Sequence, residues 1–398
     1  MNIRLLIVSS FALLAFSRTT LGQTPVGRTE SSVVREGNVW VRTFSGSVPV
    51  NTAIRLRVIT EGNVTLHGDT AKSVTYSVKL PVRARNQQEA ELLLRTFSMR
   101  SQTVGQQMVL ELGARRMTGD GPEIMLSVPR GLEQLVLETR GGNLQVTDFD
   151  GQFAGSSAGG RIDIDRLNAA ASVKTGGGDI RVGRVNGPVR CSSGGGSITV
   201  DSVGGESWFE TAGGDISVRE TRGRVHAATG GGNIRVERSG GAVEARTEGG
   251  LIEVQQAAGL VNALSSGGAI QVNSAQGVRC EAAAGMIRLR NVAGALHAST
   301  AAGSILAELL AGNRIQDSTL TASAGDITVV ISSKISVTVL AQNVTGGGGR
   351  IISDFPEIRM QPAVPGTVPA VAQGSLNGGG PTLRIIATGG TIYLRREK

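Results

Sequence analysis

Asp165 and Asp201 fall at the same place in a repeating pattern, two repeats apart. If each repeat is one layer of stacked strands, the two carboxylates lie roughly 9–10 Å apart. That is the upper end of the separation an inverting glycosidase uses for its acid and base. Asp148, Asp150 and Asp163 are close in sequence. An acidic patch of Asp163, Asp165 and Asp201 suits hydrolysis or lysis of a polysaccharide, or calcium held by carboxylate oxygens. Against this, Gly183 stands between the two aspartates and Arg181 beside them. Such charges also serve simply to solvate an outward face.

The remaining candidates favour binding over catalysis. Trp208 precedes Phe209, so if Phe209 points inward Trp208 points outward. Trp208, with Arg190 and His226 at equivalent positions of the repeats before and after it, is the expected surface contact for a carbohydrate or a partner. His226 and His297 share that column four repeats apart, too far for one metal. No metal-ligand spacing and no nucleophile–base pair stands out. The Gly-Gly-Gly runs lack the Lys-Ser/Thr and helix of a phosphate loop. We therefore expect no catalytic residue, no metal and no cofactor. The net charge of +8 suits an anionic polymer. Yet glutamates such as Glu206, Glu210 and Glu244 intersperse the arginines, and two Trp, two Tyr and eight Phe leave few rings to stack bases. No nucleic-acid partner is expected.

These residues sit on a repeat. Leu144, Ile162, Ile180, Ile198, Ile216, Ile234, Ile252 and Ile270 are each eighteen residues apart; Ile287 follows after seventeen and Ile305 after eighteen. A short fixed period marks a solenoid whose repeats stack on one another. In VHAATGGGNIRVERSGGA, from Val225, apolar and polar residues alternate on either side of the glycines. Period two means strand, and glycine is expected to supply positive φ at the corners. Glycine at this density excludes helix, at about 1 kcal/mol per residue. The fold class is all-β: a parallel β-helix or β-solenoid with 18-residue coils.

Stacking makes columns. The isoleucines, with Ile164, Val182, Val200, Val218, Val236, Val254 and Val272, form one wall; Val189, Val225, Val243, Val261, Val278 and Leu296 form the other. Beside the second wall, Cys191, Phe209, Ala227, Ala245, Ala263, Cys280 and Ala298 imply a narrow coil. The two cysteines are five coils apart, roughly 24 Å, beyond the 4.4–6.8 Å or so that a disulfide spans. Two free, buried thiols are expected. A hydroxyl column, Thr139, Ser157, Thr175, Ser193, Thr211, Thr229, Thr247, Ser265 and Thr300, precedes each glycine corner. It either satisfies the turns locally or faces outward as a ladder matching ice or a crystalline polysaccharide; its place on the buried side of the strand favours the first.

Residues 1–22 read as a secretory signal: Arg4, an apolar run from Leu5 to Phe16, and Thr20-Leu21-Gly22 before the cut. The apolar run is too short to span a bilayer comfortably. No transmembrane span is expected in the mature chain, and the destination is the periplasm, the outer surface or the medium. Residues 23–35 read as flexible, 36–134 as an N-terminal cap with irregular coils and one helix in Asn86–Phe97, 135–306 as the regular solenoid, and 307–398 as C-terminal coils. Within the last, Ala307–Asp317 is an insertion, 356–373 a proline-rich loop, and Leu383–Leu394 the final coil.

The order of these parts resembles a known family. An export signal, an irregular first part, a Val128-Pro129-x-Gly131-Leu132 step and the recurring T-x-G-G-x-I-x-V are followed by Ser353-Asp354-Phe355-Pro356, Leu376-Asn377-Gly378-Gly379-Gly380 and Thr388-Gly389-Gly390-Thr391-Ile392. In this the chain is similar to the bacterial putative-adhesin β-strand-repeat proteins, a family of no established biochemical function. The resemblance implies a β-solenoid in an envelope or extracellular setting and a non-enzymatic role, with a cell-surface or envelope polysaccharide or protein as partner. A polysaccharide-active β-helix enzyme, hydrolase or lyase, is the alternative, and self-assembly through end coils a third reading.

Overall fold

The computed structural model describes residues 27–50, 52–95, 97–114, 121–312, 314–344, 350–361 and 370–397. The expected signal at 1–22 lies outside these, as does 362–369 of the proline-rich stretch. Among the described residues the strands form two long sheets, of 19 and 18 strands.

One coil shows why the sequence folds this way. Val225–Thr229 lies in one sheet and Ile234–Ser239 in the other. Burial alternates along both strands, and Val225, Ala227, Ile234 and Val236 join one thin core. Burying each valine or isoleucine contributes about 1.5–3 kcal/mol. Val225 pairs in parallel with Ser207 and Val243, and Ile234 with Ile216 and Ile252. The eighteen-residue period is thus the strand register itself, and the expected walls are built as columns.

The hydroxyl column is interior. Thr229 Oγ1 donates to the Gly214 carbonyl of the preceding coil at 2.8 Å and accepts the Gly232 N–H at 3.2 Å. The same pair of bonds recurs at Ser157, Thr175, Ser193, Thr211, Thr247 and Ser265. All of these side chains are buried, which rules out the outward ladder. At the seventeen-residue step the column holds Ala282 instead.

Positive φ, expected at the corner glycines, is present at Gly62, Gly277 and Gly325, but the regular corners have a different cause. A Cβ on Gly232 would lie 2.1 Å from the Gly214 carbonyl oxygen. Neither residue has a left-handed φ. Close approach of the coil beneath, not positive φ, selects glycine here. Cys191 and Cys280 are free and buried in their column. Burial pushes both thiols up, Cys280 to about 12.

The first part of the chain departs from expectation in its lead-in. Residues read as a flexible lead-in carry strands Gly27–Glu30 and Val34–Glu36, antiparallel to Val39–Pro49. The helix is Gln87–Leu94, with the Asn86 side chain accepting the Glu89 N–H. It buries Ala90 and Leu94 and leaves Leu92 70 % exposed, because four-residue spacing puts the first two on the face toward the sheet.

Both ends of the stack are built out of chain order. The coil of Arg55–Thr60 and Asn63–Asp69 lies between that of Gln107–Ala114 and Glu123–Pro129 and that of Gln134–Thr139 and Leu144–Phe149. At the other end, Ile305–Leu309 is a strand, so the insertion begins only after it. The coil of Thr382–Ala387 and Ile392–Arg396, last in sequence, is not last in the stack. It fits between Ser318–Ala324 with Ile327–Ile331 and Val337–Asn343 with Ile351–Ser353. The proline-rich stretch is not all loop: Arg359–Gln361 pairs with Ala370–Leu376, which covers Val337–Asn343 antiparallel. Ser73–Val82 and Phe97–Val104 cover the opposite end antiparallel. Turned strands of this kind block end-to-end pairing.

Thr229→Val leaves the Gly214 carbonyl and the Gly232 N–H without their shared hydroxyl. We expect a loss of about 1–3 kcal/mol in urea unfolding, with Thr229→Ser close to wild type. A thiol reagent should leave Cys191 and Cys280 unmodified in the native protein and label both on unfolding; fast native labelling would contradict the buried column.

Candidate functional site

Arg190, Trp208, His226 and Glu244 stand on successive rungs of one sheet. Each is the second residue of its strand, between a buried first and third, so the side chain points outward. Parallel strands about 4.8 Å apart set planar groups at stacking distance. The Arg190 Cζ lies 5.1 Å from the Trp208 ring centroid. The Trp208 and His226 rings stack at 5.0 Å and 4°. His226 Nδ1 is 3.1 Å from Glu244 Oε2, and its Nε2 is 3.4 Å from Glu206 Oε1. Arg246 closes on Glu244 at 2.6 Å.

The geometry brings the three contact residues into one stack and changes what the indole can offer. Arg190 covers one face of Trp208 and His226 the other, leaving the ring edge outward. On the far side of Arg190 the rung is Ser172, with Lys174 outward on the same strand. The open end of the stack is therefore small and basic. Alongside runs a shallow groove of about 510 Å³ over Ala228, between Glu210 and Arg246.

The acidic patch lies on the other sheet. Asp163, Asp165 and Asp201 line a cleft of about 420 Å³ together with Arg161, Arg166, Arg181 and Gly183. Each carboxylate faces a guanidinium, and the one beside Asp165 is shared with Asp148. Asp163 is 3.0 Å from Arg161, Asp165 is 2.5 Å from Arg166, and Asp201 is 3.9 Å from Arg219. Asp165 also accepts the Arg184 N–H at 2.9 Å. A Cβ on Gly183 would lie 2.2 Å from the Asp165 carboxylate, so glycine there makes room for it.

A second network lies beside the cleft. Asp148 accepts two bonds from Arg166, at 2.6 and 2.7 Å, and His67 Nδ1 lies 3.2 Å away. Asp150 accepts two from Arg130 and one from Asn168, whose own amide oxygen accepts a hydrogen bond from the Asn186 amide. The signal was available: Asp148 and Arg166 are one period apart, as are Asp150, Asn168 and Asn186. It was hidden because Asp148 and Arg166 both have left-handed φ, 61° and 53°, which re-aims their side chains. The Arg166 hydrogen bonds hold the Asp148 carboxyl down from 3.8 to about 2, and Arg130 lowers Asp150 likewise. Among the described residues no group of three or more His, Cys, Asp and Glu is placed to hold a metal, and no helix is long and apolar enough to cross a membrane.

A carboxyl whose folded pKa is depressed stabilises the fold above its unfolded pKa and loses that effect as pH falls through the folded value. Asp148 should therefore contribute fully above about pH 5 and progressively less toward about pH 2. Urea midpoints of wild type and Asp148→Asn should differ most at neutral pH and converge over that acid range. A gap that stays constant would contradict the Arg166 pairing.

The Toastrack DUF4097 family matches residues 51–275, more than half of the chain. No curated protein matches it. Among solved structures, a putative cell adhesion protein from Clostridium sporogenes is 9 % identical over 90 % of this chain and 100 % of that one, with a TM-score of 0.20. A putative adhesin from Bacteroides fragilis is 14 % identical over 66 % of this chain and 95 % of that one, with a TM-score of 0.29. Superpositions at such scores do not establish a common fold. The family match runs from the first coil through the Arg190–Glu244 stack into the later repeats, and the chain belongs to the Toastrack DUF4097 family.

Proposed function

We propose that this protein is an exported, non-enzymatic rod of the adhesin-like kind, whose repetitive face binds an anionic polysaccharide of the cell surface or envelope. The observation that carries the reading is the stack of Arg190, Trp208 and His226, with its basic end open over Ser172 beside Lys174. Trp208 lies against Arg190 on one side, and the rung on its other side is the small Ser172. A guanidinium in that state offers forked donors to carboxylate or phosphate. The indole edge and the groove over Ala228 extend the contact along the rod. A polymer matches such a surface better than a small molecule does, since weak contacts repeat along its length.

The test is binding of the purified protein to a panel of acidic and neutral polysaccharides and envelope fractions, with reducing-end and unsaturated-product assays on the same samples. We expect acidic polymers to bind without product, and binding to fall with salt. Arg190→Ala should weaken it about tenfold, the size of one charge-assisted hydrogen bond, and Trp208→Ala should follow by freeing Arg190. Equal binding of neutral polymers, or binding indifferent to Arg190, would overturn the assignment. Product formation that falls in Asp165→Asn or Asp201→Asn would replace it with a polysaccharide-active enzyme built on the cleft at Asp163.

A further inference from the structure

The Val128-Pro129-x-Gly131-Leu132 step takes no part in the polysaccharide-binding face. It joins Glu123–Pro129 of one sheet to Gln134–Thr139 of the other. The next coil presses on it at Leu132: a Cβ on Gly151 would lie 2.0 Å from the Leu132 carbonyl oxygen. At Gly131 the step is open, and a Cβ there would meet nothing within 4 Å. Gly131 borders a notch of about 450 Å³, floored by Val50, Ala53, Ile54 and Leu132 and rimmed by Asp69 and Lys72. We propose that this notch binds a small apolar carboxylate, whose body lies on the floor and whose charge meets Lys72.

The walls are tied together by the backbone. Three connectors meet here, at 50–54, 69–73 and 129–133. The Val50 N–H donates to the Lys72 carbonyl at 3.4 Å, the Arg130 N–H to the Asp69 carbonyl at 2.8 Å, and the Glu133 N–H to the Ile54 carbonyl at 2.8 Å. Within the first connector the Ala53 N–H donates to the Val50 carbonyl at 2.9 Å. The notch therefore exists before any ligand arrives, and little ordering opposes binding. Val50, Ala53 and Leu132 are buried beneath it, while Ile54, Ala71 and Pro129 stay half-buried along its sides. An apolar body placed there leaves water and covers these side chains. The volume lies within the about 300–1,000 Å³ usual for small-ligand pockets.

The charges of the rim select the head group. The Asp69 carboxylate is engaged locally, accepting the Thr70 N–H at 2.6 Å and the Thr70 hydroxyl at 3.3 Å. Arg130 gives its guanidinium to Asp150, at 2.8 and 3.0 Å. Lys72 is exposed, and among the described residues it has no ion pair. The charge left over at the rim is thus an ammonium, a point charge on a flexible stem that turns to meet an anion. A carboxylate there gains a charge-assisted hydrogen bond. An uncharged apolar group would leave that bond unmade, and a cation would be repelled. A chain of hydroxylated sugars suits the apolar floor poorly, so this site is separate from the Arg190 face.

The test titrates the folded protein with anilinonaphthalene sulfonate, an anionic apolar dye that reports apolar surface by its fluorescence. The bound dye is then displaced with octanoate or with octanol. We expect saturable dye binding, and displacement by octanoate at about a tenth of the octanol concentration, the size of one charge-assisted hydrogen bond. Lys72→Glu should remove that advantage and leave octanol unchanged. Gly131→Phe puts a ring into the open space and should abolish binding of both, with a urea midpoint to show that the variant is folded. Absence of saturable dye binding overturns the proposal, as does binding that survives in folded Gly131→Phe. Should that variant fail to fold, Lys72→Glu on the exposed rim decides: octanoate displacement unchanged by it overturns the proposal. Equal displacement by octanol and octanoate in the wild type also overturns it, and makes the notch a seat for an uncharged side chain of a partner protein.

Discussion

The carbonyl of Gly214 shows what the rod depends on. It receives the Thr229 hydroxyl from the next coil and lies under Gly232, close enough to forbid a side chain there. The hydroxyl compensates a backbone group that the corner would otherwise bury unpaired. The absent Cβ lets the next corner descend onto it. Repeated through the stack, this contact sets the strand spacing at the corner. The parallel ladders of both sheets, and the core columns between them, follow from it.

Uniform spacing also governs the outside. Where a column holds planar side chains they must stack, as Arg190, Trp208 and His226 do. Where it holds opposite charges they must pair, as Arg235 does with Glu253 and Arg290 with Glu308, each pair one coil apart. The surface is therefore a set of one-dimensional rows, and neighbouring rungs decide what any one residue can do. This weakens a reading of Trp208 as an open platform for a sugar ring and favours Arg190 as the exposed group. It likewise places an arginine against each aspartate of the acidic patch. A rod of this kind offers length and repetition, which suits the polymeric partner proposed for it.

A stack also has ends, and exposed strand edges there invite the next molecule. The chain meets this at each end by folding out of order. One coil near each end is enclosed by a coil from elsewhere in sequence, and antiparallel strands lie beyond.

The repeat alone determined the architecture of the middle of the molecule. Eighteen-residue spacing of isoleucine specifies parallel register, and alternation specifies which side of each strand is buried, because both are local consequences of strand geometry. The buried thiols and the narrow coil followed from the same columns. Three things were decided only in the tertiary structure. The reason for glycine at the corners lies in the coil beneath, where Gly232 meets Gly214. The partners of Asp148 and Asp150 depend on two left-handed residues, Asp148 and Arg166, whose backbone no period predicts. And the place of 382–397 in the stack is a matter of topology: its sequence says that it is a coil, but its pairing groups fit equally well wherever a coil is missing, and chain order does not say where that is.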